Sequence, residues 1–169
     1  MTPPAEGTWV LDPATSRIEL ASKSVWGLVP VKGSFGEFTG SGTVSATGEA
    51  TGTITIAANS LDTKMGKRDK HLRSADFFDV EKFPSIEFTV DSVKQAGAGA
   101  ATVSGSLTVR DTTKPLSFDA QVSTPDADHA QLDARVPVNR ADFGLTFNQL
   151  GMMSMQNTIT LHAVFTRQG

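Results

Sequence analysis

The feature that most constrains this chain is a period of two in its apolar residues, returning at intervals along the length. Ile18 and Leu20 alternate with Arg17 and Glu19; Ile54, Ile56 and Ala58 with Thr53, Thr55 and Ala57; Ile86, Phe88 and Val90 with Glu87, Thr89 and Asp91. The rhythm continues at Val103, Leu107 and Val109, at Leu116, Phe118, Ala120 and Val122, at Leu132, Ala134 and Val136, and at Ile159, Leu161, Ala163 and Phe165. Successive side chains of a strand point to opposite faces, so each run reads as a strand with one buried and one polar face. Twenty threonines and many valines agree, since β-branched side chains pack well on a pleated surface. Turn signals separate the runs at Ala46-Thr-Gly48, Gln95 to Ala100, Arg110 to Pro115 and Thr124 to Asp128. Short strands at such spacing, with no long helical crossover, predict an antiparallel sandwich or an up-and-down barrel. Periodicity alone does not separate the two.

Two segments break the rhythm. Between Leu61 and Val80 (LDTKMGKRDKHLRSADFFDV), Leu61, Met65 and Leu72 fall near one helical face, and Ser74 is placed to cap a short turn carrying Phe77 and Phe78. One or two short helices inserted in the sheet are expected there. The second segment, Asn139 to Gln156, holds Phe143, Leu145, Phe147, Leu150, Met152, Met153 and Met155, more apolar content than an ordinary surface loop carries.

At 169 residues the chain fits one domain, 1–169, large enough to bury a core without metals or disulfides. With no cysteine, disulfide, zinc-thiolate, iron-sulfur and Cys-nucleophile chemistry all drop out. A net charge of −3 is the wrong sign for a general nucleic-acid binder. No stretch approaches the length of a membrane-spanning helix. The opening Met1-Thr-Pro-Pro-Ala-Glu-Gly7 lacks the basic and apolar regions of a secretory signal, and a cytoplasmic location is expected on that ground.

Against the acidic background, Lys64, Lys67, Arg68, Lys70 and Arg73 place five of the fifteen positive charges within ten residues, with His71 among them. Two readings compete: an anion site at the mouth of a pocket, with an Arg fork for phosphate or carboxylate, or a solvated helix face paired with Asp69. His71, His129 and His162 are too dispersed for a metal site. Asp69 with His71, and Asp126 with Asp128, stand two apart, yet nothing pairs them with a nucleophile. The chain has no G-x-S-x-G elbow, P-loop or G-x-G-x-x-G run, so neither catalysis nor a bound cofactor is expected. Ten Phe, two Trp and no Tyr would line a pocket better suited to hydrocarbon than to sugar or nucleotide. Small inward candidates (Ala58, Ala120, Ala134, Ala163, and Gly33, Gly36, Gly40 and Gly42 on an expected third strand) favour a cavity if the strands form a barrel of about eight, and are also compatible with a flattened, fully packed sandwich.

Several segments, in order, resemble the YceI-like family: Trp9-Val-Leu-Asp-Pro-Ala-Thr-Ser16, Val31-Lys-Gly-Ser-Phe35, Asn59-Ser-Leu-Asp-Thr63, Gly105-Ser-Leu-Thr108, Thr113-Lys-Pro115 and Asn139-Arg-Ala-Asp-Phe-Gly144. The central block is the most specific: R-D-x-H-L-R-S from Arg68, then D-F-F-D, then F-P-x-I-x-F ending at Phe88. The resemblance spans nearly the whole chain. It implies a lipocalin-like, extended antiparallel up-and-down β-barrel of about eight strands whose apolar pocket binds a polyisoprenoid chain or related amphiphilic lipid. It also implies a carrier or sequestering protein and not an enzyme; many members are periplasmic. The chain departs from the family pattern at Thr15, where His is common, and at Asp111-Thr-Thr-Lys114, where Gly-Val-Thr-Lys is frequent.

Together these lines predict a tail wall of Trp26, Phe35, Ile56, Met65, Leu72, Ile86, Phe88, Phe118, Phe143, Phe147 and Met152, with Arg68, His71 and Arg140 anchoring a polar or anionic head. The opposing structural reading assigns Arg68, Asp69 and His71 to a hydrogen-bond network pinning the inserted helix to the barrel. An enzyme acting on a small lipid or quinone, and a filled barrel serving as an interaction module, are the functional alternatives. An open-ended barrel also accommodates a homodimer.

Overall fold

The alternating runs become strands, and the strands close on themselves. The computed structural model describes residues 5–24, 29–74, 78–143 and 156–168. In chain order these carry β1 (Gly7–Leu11), β2 (Arg17–Ser24), β3 (Val29–Phe35), β4 (Phe38–Val44), β5 (Ala50–Ala57), β6 (Leu61–Asp62), the helix α1 (Gly66–Leu72), β7 (Ser85–Gly97), β8 (Ala100–Val109), β9 (Thr112–Asp126), β10 (His129–Asn139) and β11 (Gln156–Gln168). Every pairing is antiparallel. The hydrogen-bonded order β1-β4-β5-β7-β8-β9-β10-β11 returns to β1, a closed circuit of eight strands.

The remaining three strands lengthen the barrel without widening it. β11 pairs with β1 through Leu11↔Phe165 to Thr8↔Gln168, and with β2 through Thr158↔Ala21 to His162↔Arg17. β1 and β2 are therefore two halves of one ribbon. The break between them is a turn organised by Asp12, whose carboxylate accepts from Ala14 N at 3.1 Å and Thr15 Oγ1 at 2.9 Å. β3 and β4 form a second broken ribbon, pairing with β2 and β1 respectively. Its interruption falls at Gly36 and Glu37, whose backbone bonds go to Ser60 O and from Ala57 N. The single third strand expected across Gly33 to Gly42 is thus two. β5 and β6 form the third broken ribbon, interrupted by a 3-10 turn at Ala58–Ser60.

Turns also prove tighter than the sequence predicts. Arg110 to Pro115 reads as one loop, but only Arg110 and Asp111 lie outside strands, with Arg110 at φ 57°. Pro115 sits in the β8–β9 ladder opposite Ser106. Likewise Thr124 and Pro125 belong to β9. The insertion between Leu61 and Val80 contributes the one α-helix among the described residues. Ser74 Oγ donates to His71 O at the C-terminal end of that helix, and Phe78 lies in a turn. Phe77 lies outside the described residues.

The core is the inward face of the barrel. On β8 the alternation is strict: Ala101, Val103, Gly105, Leu107 and Val109 are buried and their neighbours are not. The tight turns around Ser45–Glu49, Gly97–Gly99 and Asp126–His129 mark one end. The insertion carrying α1, the Arg110–Asp111 turn, the end of β10 and the start of β11 mark the other. The α1 insertion and the described ends of the second irregular segment, residues 139–143 and Gln156, therefore lie at one end of the barrel. Leu61, wholly buried on β6, ties the insertion to the core. Leu61→Ala should lower the unfolding free energy by about 2–5 kcal/mol, read from urea denaturation followed by far-UV circular dichroism.

Candidate functional site

Inside the α1 end lies a cavity of about 470 Å³. Its wall is built by the alternation itself, from Ile18 and Leu20 on β2, Val31 and Phe35 on β3, Ile56 on β5, Ile86 on β7, Leu107 and Val109 on β8, Val138 on β10 and Ile159 on β11. Leu72 and Phe78 from the insertion, and Phe143 from a 3-10 turn at Arg140–Phe143, complete the apolar lining. The rings of Phe35 and Phe78 meet edge to face, with centroids 6.3 Å apart and planes at 81°. The described side chains leave the interior at this end unfilled.

The polar lining is concentrated in the insertion and the strand ends: Thr63, Lys67, Arg68 and His71, with Arg140, Asn157 and Ser22. Four of these are cationic or can become so, and no Asp or Glu lines the cavity among the described residues. The nearest acid in sequence, Asp69, is buried and turned into the protein, where its carboxylate accepts from Thr63 N at 2.9 Å and from Thr63 Oγ1. Arg140 is also buried, and desolvation pushes its guanidinium below its ordinary range.

A hydrogen-bond network positions Arg68 among them. Asp69 holds Thr63; Arg68 then donates from Nε to Thr63 Oγ1 and from Nη2 to Thr63 O, both at 2.9 Å. Arg73 Nη2 donates to Leu61 O at 2.8 Å. Three side chains of the basic block thus pin α1 to the 61–63 segment, which pairs in turn with β3. Gly33 permits that approach: a Cβ there would stand 2.8 Å from Thr63 Cγ2 and 2.9 Å from Leu61 Cδ1. The structural reading of Arg68 and Asp69 is correct in its geometry, and Arg68 nonetheless faces the cavity. The two readings describe one residue.

Nine of the predicted residues surround this one cavity: Phe35, Ile56, Met65, Arg68, His71, Leu72, Ile86, Arg140 and Phe143. Phe88 and Phe118 do not; they line a second cavity deeper in the barrel. Trp26, Phe147 and Met152 lie outside the described residues. Sequence reasoning missed Ser22, Thr63, Phe78 and Asn157 as lining residues, while Lys67 and Gly33 were singled out only as part of the basic cluster and as a small inward residue. Ser22 and Asn157 do continue the inward alternation of Ile18 and Leu20 and of Ile159 and Leu161, and that was their available signal. Met65, 53% exposed, forms rim and not wall.

The other histidines stand elsewhere. His162 Nδ1 lies 2.6 Å from Asp133 Oδ1 across the β10–β11 ladder, on the outward face between Leu161 and Ala163. His129 Nδ1 lies 2.8 Å from Asp126 Oδ1 at the tight-turn end, and that contact holds the Asp126 carboxyl below its usual value. Among the described residues no three His, Asp or Glu side chains converge on a metal position, and no helix is long and apolar enough to cross a membrane. Asp69→Ala should strand the buried Thr63 N–H and lower stability by about 1–3 kcal/mol. Asp69→Asn, which keeps an acceptor, should recover part of that loss in thermal and urea unfolding.

The geometry now meets its relatives. A model of the YceI-like domain matches residues 9–166. The protein YceI of Salmonella arizonae is 38% identical over 108 residues, 61% of this chain and 56% of the relative, as is that of Salmonella paratyphi B. The match thus spans little more than half the length of those relatives. Among solved structures, BcnA of Burkholderia cenocepacia superposes with a TM-score of 0.82 at 21% identity, covering 91% of this chain and 98% of that one. A polyisoprenoid binding domain from Saccharophagus degradans gives 0.76 at 17%, covering 95% and 98%. The YceI protein of Campylobacter jejuni gives 0.67 at 23%, covering 82% and 86%. With its barrel closed in the same way and the domain matched along nearly its whole length, this chain belongs to the YceI-like family.

Proposed function

We propose that the protein encloses the apolar tail of an isoprenoid-type amphiphile in the 470 Å³ cavity and holds an anionic head among Lys67, Arg68, His71 and Arg140. The observation that carries this reading is the division of one cavity into an apolar wall and a cationic mouth. A tail inside that wall gains roughly 0.8 kcal/mol for each CH₂ removed from water, set against the cost of immobilising the chain. Selectivity then falls to the mouth, where guanidinium and ammonium groups favour phosphate or carboxylate over a neutral head. The Saccharophagus degradans neighbour, described as a polyisoprenoid binding domain, supports the tail class.

The role is carriage or sequestration of the lipid. Binding without turnover fits a mouth whose Arg68 is anchored by Thr63 and whose acid, Asp69, is engaged in the same network.

Native mass spectrometry of the purified protein, followed by organic extraction, tests the reading. A near-stoichiometric prenyl lipid, or uptake of added farnesol and farnesyl phosphate, is the expected result; a bare protein mass with no uptake of either would overturn it. Lys67→Gln should weaken farnesyl phosphate binding by about tenfold, the loss of one charge-assisted contact worth about 1.5 kcal/mol. Its farnesol affinity should stay unchanged in the same calorimetric titration.

A further inference from the structure

The barrel holds a second cavity, of about 150 Å³, toward the tight-turn end, walled by Val90, Val93, Val103, Val122, Leu161 and Phe165. Among the described residues none lines both cavities. The boundary falls at one level on three strands. Consecutive inward residues part company there: Ile56 from Ile54 on β5, Ile86 from Phe88 on β7, and Ile159 from Leu161 on β11, the first of each pair facing the larger cavity.

At this level the rings of Phe88 and Phe118 meet, with centroids 5.6 Å apart and planes tilted by 45°. They come from β7 and β9 and reach each other across β8. Phe88 pairs with Leu107 and Phe118 with Val103. Gly105 stands between those two partners and adds no side chain to the layer. Nor can it be replaced easily: a Cβ there would fall 1.9 Å from Thr89 O. The glycine both permits the close approach of β7 and β8 and leaves the two rings room to touch.

We propose that Phe88 and Phe118, which line the deeper cavity and stand just beyond the wall of the larger one, form the partition that serves as the floor of the tail chamber and set the length of chain it accepts. The deeper cavity is a reserve for the terminal units of a longer isoprenoid or alkyl chain, opened when the floor is removed. This rests on the tail-binding reading above and adds to it a length limit and the residues that impose it. A tail gains affinity for each unit it removes from water, so the gain ends where the chain end meets the rings. Units beyond that point stay in the mouth or fold back.

The experiment is a titration with prenyl alcohols of increasing length, from geraniol through farnesol and geranylgeraniol to longer polyprenols in dispersed form. Wild-type affinity should climb with each isoprene unit and then level off. Phe118→Ala should move that plateau by at least one unit and strengthen binding of the first alcohol beyond the wild-type limit by about tenfold or more. Its affinity for geraniol should hold within about twofold of wild type, since that chain ends above the floor. Phe118→Leu and Phe88→Leu remove less core volume, and secure the comparison if the alanine variant fails to fold. A wild-type affinity that climbs without a break would overturn the floor, as would a plateau at the same length in folded variants. Failure of every alcohol to bind would instead overturn the tail-binding reading itself, and the floor with it.

Discussion

The whole interior depends on β11 hydrogen-bonding along one edge to both β1 and β2. That double pairing closes eight strands into a ring and leaves its main circuit without an exposed edge. Closure fixes the circumference, and a fixed circumference encloses a set volume whether or not side chains fill it. An open sheet with the same alternation could flatten onto its own apolar face and expel the space. Here the space persists, and its extent follows from the size of the inward residues.

Those residues are graded along the axis. The tight-turn end carries Gly42, Gly52, Ala130 and Ala163 on its lining, yet Trp9, Val93, Val122 and Phe165 occupy much of the room, and a small cavity remains. The α1 end is lined mainly by branched aliphatic side chains, and the barrel is extended there by β2, β3 and β6, so the larger cavity opens within that extension. The breaks at 12–16, 36–37 and 58–60 are what allow three ribbons to change course and build it. They are features of the site as much as of the fold.

At the mouth, stability and chemistry share the same atoms. Asp69 is buried because it satisfies Thr63, and satisfying Thr63 fixes the acceptors to which Arg68 donates. The basic block therefore faces an apolar chamber with no acid among its described lining residues, and the block's one carboxylate, Asp69, is committed to backbone and hydroxyl donors. A solvated face, the simplest view of this block in sequence, describes the exposed Lys64, Lys67 and Lys70, whereas Asp69, expected there as an ion-pair partner, is buried and bonded to Thr63.

Much of this was legible in advance, for identifiable reasons. The period of two marks the inward set of β5, β7, β8, β9, β10 and β11 because side-chain direction in a strand is a local property, independent of which strand lies alongside. The basic cluster from Lys64 to Arg73 marked one end of the cavity because five cations in ten residues have no apolar face to hide in. What local pattern does not carry is pairing. Phe88 and Phe118 share their periodicity with Ile86 and Ala120, and only the register across β8 brings the two rings together beneath the larger cavity. Gly33 and Thr63, far apart in pattern and type, become partners only when β6 pairs with β3. By itself, then, the sequence determined the strands, their inward faces and the cationic insertion, because these follow from the spacing and chemistry of neighbouring residues. Closure, the broken ribbons, the hollow and the Phe88–Phe118 ring contact were decided by the tertiary structure alone, because enclosed volume and ring contact depend on distances between strands remote in the chain.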